Sequence, residues 1–157
     1  MPIAIIIRGP AGAGKSTIAQ KLHAKIDHCV HLDIDKLKHI ISSEPSDIRT
    51  GIAHKVSESF LKELIKNNFN IIIEEILREK HYKKILGILK KSKYKIVKVF
   101  VTAPLKVLIE RDSNRQKNKG ENIIKKLSEE IKPLNEDIII DTSKYSVDAA
   151  IKKIPLK

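Results

Sequence analysis

Short apolar segments alternate with segments of helical periodicity along the whole chain. Five of the apolar segments have the length of strands, and three of these are continuous isoleucine runs. They comprise residues 3–7, 30–34, 70–74, 95–102 and 137–140. Uninterrupted apolar runs of this length are typical of parallel strands that are buried on both faces.

Apolar residues at helical spacing fill the intervals between these strands. The helical pattern covers residues 15–25, 52–65, 82–89 and 105–109. Strands that alternate with helices predict an α/β fold, in which crossover helices cover both faces of a parallel sheet. Two polar segments, 42–47 and 112–121, are expected to be mobile surface connections.

The length of the chain, 157 residues, predicts one domain that spans residues 1–157. No apolar run approaches the roughly 20 residues that a membrane-spanning helix needs, so we expect no membrane partner. No basic segment precedes the first apolar one, which argues against a signal peptide and predicts a cytoplasmic protein. Cys29 is the only cysteine, which excludes an internal disulfide and a cysteine-based zinc cluster.

The formal net charge of the chain is +12. A charge of this size attracts polyanions, so nucleic acid is a candidate partner. Most of the positive charge is lysine, however, and these lysines are spread over nearly every predicted helix. The excess of lysine and isoleucine is equally consistent with biased genome composition or adaptation to heat. The sequence leaves the oligomeric state open.

A glycine-rich segment, residues 9–17, reads GPAGAGKST and directly follows the first predicted strand. It matches the pattern G-x-x-x-x-G-K-[ST], in which backbone amides at a helix N-terminus cradle phosphate groups. We expect Lys15 to reach the β- and γ-phosphates of ATP and Ser16 to bind Mg²⁺. The predicted nucleotide contacts in this loop are Gly9, Ala11, Gly12, Ala13, Gly14, Lys15, Ser16 and Thr17.

Two acidic residues, Asp33 and Asp35, lie at the end of the second predicted strand. Residues two apart on a strand point to the same face, so we expect both side chains to face one cleft. This cleft lies at the carboxyl edge of the sheet, beside the phosphate loop. One of the two carboxylates is therefore a candidate to accept the proton of an attacking hydroxyl group. A helix N-cap is the alternative role for Asp35, and it does not exclude the first.

The loop GPAGAGKST followed by LDIDKLKH resembles the P-loop small-molecule and polynucleotide kinases, a group that includes shikimate, gluconate and chloramphenicol kinases. The resemblance spans nearly the whole chain. It implies a three-layer α/β fold with a five-stranded parallel sheet, helices on both faces and a short lid at residues 112–121. It also implies that Asp35 orients or deprotonates the acceptor hydroxyl and that Asp33 lies near Mg²⁺.

The same resemblance suggests further contacts to the acceptor and the metal. Polynucleotide kinases of this type carry an arginine three residues after the base, whereas this chain has Lys38, which binds a phosphate only as a point charge. Arg49 is another candidate acceptor contact, with a solvated surface position as the alternative. Residues 71–75 resemble a Walker B element, in which Glu74 replaces the usual aspartate that holds a Mg²⁺-bound water. Glu74 or Glu75 could instead contact the acceptor.

Two arginines, Arg111 and Arg115, lie four residues apart and hence on one helix face. In the kinases that this chain resembles, the first arginine of such a pair lies against adenine and the second reaches the β- and γ-phosphates. A surface salt bridge is the alternative for Arg111. Residues 140–144 resemble the adenine-contacting loop of these kinases, where backbone groups do most of the recognition.

These features predict an ATP-dependent kinase that phosphorylates a hydroxyl group, with Lys15, Asp35 and Arg115 as its catalytic residues. A compact chain with few aromatic residues favours a small-molecule acceptor over nucleic acid, whose bases stack on aromatic side chains. A 5′-hydroxyl polynucleotide kinase and a non-enzymatic ATP-binding switch are the alternatives. The six histidines show no spacing that is typical of a metal site.

Overall fold

The computed structural model describes residues 1–156 and contains one five-stranded sheet. Its strands are β1 (Ile3–Arg8), β2 (Cys29–Asp33), β3 (Asn70–Glu74), β4 (Lys95–Thr102) and β5 (Ile138–Asp141). Every pair is parallel, and the strand order is β2-β3-β1-β4-β5. This sheet confirms the predicted α/β class and the five predicted strands to within one residue at each end.

Seven helices connect or follow these strands within residues 1–156. They are α1 (Lys15–His23), α2 (Ile34–Ile41), α3 (Asp47–Lys66), α4 (Glu79–Lys90), α5 (Leu105–Ser113), α6 (Glu121–Glu130) and α7 (Val147–Lys152). The apolar periodicity predicted α1, α3, α4 and α5 but not the others, because α2 and α7 are short and α6 has few apolar residues. In the part of the chain that is described, no helix is both long and apolar enough to cross a membrane.

The central strand β1 is buried on both faces. Ile5 lies between Ile72 of β3 and Val97 of β4, and its side chain is fully buried. Side chains that alternate along β1 enter two separate apolar cores, as the isoleucine run predicts. The first core, to which Ile5 and Ile7 belong, packs against α1, α5, α6 and α7. The second core contains Ile6 and packs against α2, α3 and α4.

The predicted lid segment, 112–121, overlaps two helices. Asp112 is in α5 and is 2 % exposed, so the segment begins with a buried residue rather than a mobile one. Its Oδ2 accepts hydrogen bonds from the backbone amides of Lys119, at 2.9 Å, and Gly120, at 3.0 Å. Glu121 is the first residue of α6. The connection therefore consists of residues 114–120, and Asp112 ties its two ends together.

Candidate active site

The phosphate loop connects β1 to α1, and glycine geometry fixes its course. Gly9 has a φ of +147°, and a Cβ atom at this position would lie 2.0 Å from the carbonyl oxygen of Val101. Gly12 has a φ of +82°, and a Cβ atom there would lie 2.9 Å from the carbonyl oxygen of Leu108. Only glycine fits such positions, because any other side chain collides with backbone. The loop then enters α1, whose free N-terminal amides favour an anion.

The first residue of α1, Lys15, is buried. Its Nζ donates a hydrogen bond to the carbonyl oxygen of Pro10 at 3.0 Å. Burial lowers the pKa of Lys15, and the nearby carboxylates of Asp35 and Glu74 act in the opposite direction without cancelling the effect. A buried ammonium without a direct carboxylate partner is well suited to receive a phosphate group, which would replace the missing counter-charge.

One small cavity of about 130 Å³ lies between the phosphate loop, the first turn of α2 and the end of β3. It is lined by Ala11, Gly12, Gly14, Lys15, Ser16, Thr17, Asp35, Glu74, Ile76, Arg115 and Lys119. Besides the loop contacts, the structure thus brings together five of the residues predicted to be catalytic or metal-binding, namely Lys15, Ser16, Asp35, Glu74 and Arg115. Lys119 is an addition that the sequence did not suggest, because it lies in the polar connection before α6.

Oxygen ligands for a divalent cation converge at the end of β3. The Ser16 hydroxyl donates to Glu74 Oε1 at 2.5 Å, and His31 Nε2 lies 2.8 Å from Glu74 Oε2. Asp33, His31 and Glu74 each offer a ligand atom, and these atoms lie within 4.8 Å of one another. A hydroxyl and two carboxylates fit Mg²⁺, which prefers oxygen, and His31 is placed to orient Glu74.

The protonation of Glu74 also suits a cation site. Burial alone would raise the pKa of this carboxyl group, but hydrogen bonds from His31 and Ser16 outweigh burial and hold the pKa below its ordinary value. Glu74 is therefore ionised at neutral pH, as a metal ligand must be.

The positions of Asp33 and Asp35 differ from the predicted ones. Strand β2 ends at Asp33, and Ile34 already belongs to α2, so the prediction that both carboxylates point the same way along a strand is wrong. The N-cap of α2 is Asp33, whose Oδ1 accepts a hydrogen bond from the Lys36 amide at 3.0 Å. The alternative N-cap role for Asp35 is therefore also wrong. Asp35 lies in the first turn of α2 and lines the small cavity.

A cluster of titratable side chains surrounds the buried Glu75 and includes Asp35. The Lys38 Nζ is 3.1 Å from Asp35 Oδ1 and also contacts Glu75 Oε1. His54 Nε2 is 3.0 Å from Glu75 Oε1, and His81 Nδ1 is 3.1 Å from Glu75 Oε2. We call these five residues the Glu75 network. It explains how a carboxylate that is only 3 % exposed can remain in the interior, since three donors satisfy it.

Two properties of the Glu75 network follow from this packing. Burial alone would raise the pKa of Glu75, but the hydrogen bonds from His54 and His81 and the charge of Lys38 hold the pKa far below its ordinary value. The rings of His54 and His81 stack with centroids 3.5 Å apart. The sequence gives no sign that the two histidines meet, because they belong to α3 and α4 and come together only in the folded chain.

The structure does not place Arg49 in the lining of the small cavity. Arg49 is 9 % exposed, and its Nη1 donates to the carbonyl oxygen of Ser42 at 2.8 Å. In this position its guanidinium group fastens the connection between α2 and α3. A contact of Arg49 or Lys38 with the acceptor stays a prediction.

A second cavity of about 420 Å³ adjoins the first and shares Arg115 with it. Arg111 lines this cavity and donates to Thr142 twice, from Nη1 to Oγ1 at 2.7 Å and from Nη2 to the carbonyl oxygen at 3.2 Å. The Thr142 hydroxyl donates in turn to the carbonyl oxygen of Ala13 at 2.8 Å. Thr142 therefore joins the end of α5 to the phosphate loop, a side-chain role that the sequence did not indicate.

Solved structures with the same fold include several kinases. A sugar kinase from Janibacter sp. HTCC2649 superposes with a TM-score of 0.74 at 14% identity, covering 98% of this chain and 92% of that one. A gluconokinase from Sinorhizobium meliloti 1021 gives a TM-score of 0.69 at 13% identity, covering 97% of this chain and 89% of that one.

A third match is a chain in a structure of the Pnkp1/Rnl/Hen1 RNA repair complex, with a TM-score of 0.72 and 22% identity. It covers 83% of this chain, which spans only 44% of the length of that one. At these identities the three likenesses show a shared fold.

Among curated proteins, none matches the chain. A family model does match, and it spans residues 1–132, from the first strand through the phosphate loop, the small cavity and α6. The family that this model describes is Zeta toxin. On the strength of a match that spans most of its length, the chain belongs to the Zeta toxin family of P-loop kinases.

Proposed function

We propose that the protein transfers the γ-phosphoryl group of ATP to a hydroxyl group of an acceptor molecule. The observation that carries this proposal is the convergence of Lys15, Ser16, Asp35, Glu74 and Arg115 on one cavity. Phosphoryl transfer needs positioning and charge neutralisation more than covalent chemistry, and these residues supply both. Membership of the Zeta toxin family supports the same reaction class.

In this proposal the nucleotide occupies the two adjoining cavities. The adenosine part lies in the 420 Å³ cavity, beside Arg111 and Thr142. The phosphates follow the glycine loop into the 130 Å³ cavity, where Lys15 and Arg115 neutralise their charge. Ser16, Glu74 and Asp33 would hold Mg²⁺, which supplies further charge neutralisation at the β- and γ-phosphates.

Asp35 faces the phosphate loop from the acceptor side of the small cavity. We propose that it accepts the proton of the acceptor hydroxyl while the oxygen attacks the γ-phosphorus. The bond between the γ-phosphorus and the β–γ bridging oxygen breaks, and ADP leaves with that oxygen. Lys38, 3.1 Å from Asp35 Oδ1, holds the carboxylate in place. The proton thus passes to Asp35, the phosphoryl group to the acceptor oxygen, and the bridging oxygen stays with ADP.

The acceptor class is open at this level. The acceptor needs only to present one hydroxyl-bearing group at Asp35, beside the γ-phosphate. That group is either part of a small molecule, such as a sugar, nucleoside or nucleotide, or the 5′-hydroxyl end of a polynucleotide. A non-enzymatic ATP-binding switch would need no acceptor base, so the contribution of Asp35 decides between a switch and a kinase.

The test is transfer of labelled γ-phosphate from ATP, with Mg²⁺, to a panel of small hydroxyl compounds and to a 5′-hydroxyl oligonucleotide. We expect Lys15→Ala to abolish labelling of the accepted compound and Asp35→Asn to reduce it by at least about 100-fold, as for loss of a general base. Asp35→Asn should retain ATP binding, measured by calorimetry. Lys25→Ala and Asp27→Asn, both at exposed positions, are the matched controls. Full activity of Asp35→Asn would refute the proposed role.

A further inference from the structure

A large groove lies away from the nucleotide cavities, between α3 and α4. It consists of two adjoining spaces of about 570 and 320 Å³, which share Glu58 and Lys84 in their linings. Its α3 wall runs from Gly51 to Ile65, a rise of about 21 Å at 1.5 Å per residue. We call it the α3–α4 groove. Its length exceeds the size of most single metabolites.

Positive charge lines both walls of the α3–α4 groove. Lys55 and Lys62 come from α3, while Lys80 and Lys91 come from the α4 side. None of these four lysines forms an ion pair with another residue in the range 1–156. Glu58 is the only acidic residue in the lining of the two spaces. A row of unpaired cations along an open groove favours an extended polyanion.

Two glycines keep the groove wide. Gly51 and Gly87 lie inside α3 and α4, where glycine destabilises a helix relative to alanine. Neither has a positive φ, and a Cβ atom at either position would meet nothing within 4 Å. The fold of the chain therefore does not require glycine at these positions. Both glycines line the α3–α4 groove, so a side chain at either position would fill part of the groove.

The Glu75 network lies between one end of the groove and the reaction cavity. His54 and His81 line the groove and bind Glu75, which also contacts Lys38 beside Asp35. His81 is 4 % exposed, and its Nε2 has no hydrogen-bond partner. That nitrogen lies 3.8 Å from the carboxylate of Glu58, beyond hydrogen-bond distance. A buried, unsatisfied ring nitrogen at the groove is a contact point for a ligand or a bridging water.

We propose that the α3–α4 groove binds the sugar–phosphate backbone of a single-stranded nucleic acid, whose terminal hydroxyl enters the cavity at Asp35. The inference rests on the proposed function, and it names the acceptor class that the function leaves open. A single extended strand fits along the open surface of this groove, with its phosphates facing the lysines of both walls. Aliphatic side chains such as Ile65 and Ile88 at the floor give no base-specific hydrogen bonds, so binding is independent of sequence.

Binding is measured by fluorescence anisotropy with a labelled single-stranded oligonucleotide of about 12 nucleotides, the range of lengths that such grooves cover. The variant Lys62→Ala/Lys91→Ala removes one cation from each wall. We expect its affinity at low salt to fall roughly tenfold. The slope of log affinity against log salt should become shallower by about 1.4, since each phosphate contact contributes about 0.7.

A matched control, Lys25→Ala/Lys126→Ala, removes the same charge from exposed positions in the layer on the opposite face of the sheet. It should bind like the wild type. Equal losses in both double variants would overturn the proposal, because they would show binding to net charge alone. A poly-glutamate peptide of equal charge should compete less strongly than unlabelled oligonucleotide. If the two compete equally well, the proposal is overturned in favour of an acidic protein partner.

Gly87→Gln separates binding from folding. It should weaken oligonucleotide binding because it fills the groove, yet raise the melting temperature because it removes a helical glycine. Unchanged binding in this variant would count against the groove. The binding assay contains no ATP, so it is independent of catalysis. Transfer to small molecules without any oligonucleotide binding would overturn this inference and leave the proposed function standing. Groove-dependent binding without transfer to any acceptor would overturn the proposed function and the role of the oligonucleotide as acceptor, and would leave only the nucleic-acid groove.

Discussion

Lys38 and Glu75, 37 positions apart in the chain, form an ion pair in which the Lys38 side chain is 14 % exposed and that of Glu75 4 %. The same ammonium group binds Asp35, so one lysine couples the proposed base to a buried carboxylate. Lys38 occupies the position where the polynucleotide kinases that the sequence resembles carry an arginine. In this chain the ammonium already has two carboxylate partners, and it holds the Asp35 side chain by a direct contact.

Glu75→Gln should destabilise the protein and impair catalysis together. Removing Glu75 leaves the largely buried Lys38 with only the half-exposed Asp35 as a counter-charge, which costs about 3 kcal/mol of the free energy of unfolding. Urea denaturation measures this loss, and the transfer assay measures the displacement of Asp35. Glu63→Gln, which affects an exposed pair with Lys66 on α3, should change the unfolding free energy by less than about 0.5 kcal/mol. Similar losses in the two variants would contradict this account.

Stability should decrease in acid through Glu75. Its pKa in the folded protein lies below the ordinary value of 4.5, so the folded state binds fewer protons than the unfolded state in this range. The resulting stabilisation is fully present above about pH 4.5 and is lost progressively as the pH falls towards the lower, folded-state pKa. Urea midpoints between neutral pH and pH 3 test the sign. The decline should be shallower in Glu75→Gln, and an equally steep decline would assign it to other carboxylates.

His31→Ala should raise the Mg²⁺ concentration that half-saturates phosphoryl transfer. His31 binds the Glu74 oxygen that does not contact Ser16, so its loss frees the metal-binding carboxylate to rotate. Removing such an outer partner typically weakens metal affinity by about 10- to 100-fold. A Mg²⁺ titration at saturating ATP measures the shift. His39→Ala, at an exposed position of α2, serves as the control and should leave the titration unchanged.

Thr142→Val should weaken ATP binding. Arg111 loses the hydroxyl that it contacts at 2.7 Å, and Ala13 of the phosphate loop loses the hydrogen bond that Thr142 donates to it. We expect the dissociation constant of ATP, measured by calorimetry, to rise about tenfold, which corresponds to one charge-assisted hydrogen bond. Thr142→Ser keeps the hydroxyl and should retain most of the affinity. Equal affinities of the valine and serine variants would show that the hydroxyl is not needed.

Gly87→Ala and Gly9→Ala should have opposite effects on stability. Alanine at Gly87 meets no atom within 4 Å and removes a helical glycine, so the free energy of unfolding should rise by about 0.5–1 kcal/mol. Alanine at Gly9 would place a methyl group 2.0 Å from a backbone carbonyl oxygen, and we expect the loop to be displaced and the protein destabilised. Thermal unfolding of the two variants compares them directly.

The parts of the fold that depend on residues close together in the sequence were predictable from it. The strand β1 and the phosphate loop each lie in one continuous segment, 3–8 and 9–17, so the isoleucine run and the glycine spacing reveal them. The relative direction of the Asp33 and Asp35 side chains was not predictable. The strand ends at Asp33 and a helix begins at Ile34, so the helix rotates every later side chain away from the strand alternation. The short helices α2 and α7 offer too few turns for a periodic signal.

The Glu75 network could not be predicted from the sequence, for a different reason. Its members Lys38, His54 and His81 come from three helices, and no spacing in the chain links them. Only the packing of α2, α3 and α4 on the second core brings them to Glu75. Lys15, Ser16, Asp35, Glu74 and Arg115 were found because motifs mark them, and the structure gathers them in one cavity, while their chemical roles await the assays above.

Glu74 and Glu75 are adjacent in sequence, yet they serve opposite layers of the molecule. Glu74 contacts Ser16 of α1, which packs on the first core, whereas Glu75 contacts helices that pack on the second. One peptide unit is thus the border between the proposed nucleotide side of the molecule and the proposed acceptor side. Under the proposed function, substitutions in α3 and α4 would change the acceptor, by evolution or in the laboratory, while the contacts to ATP are inherited unchanged.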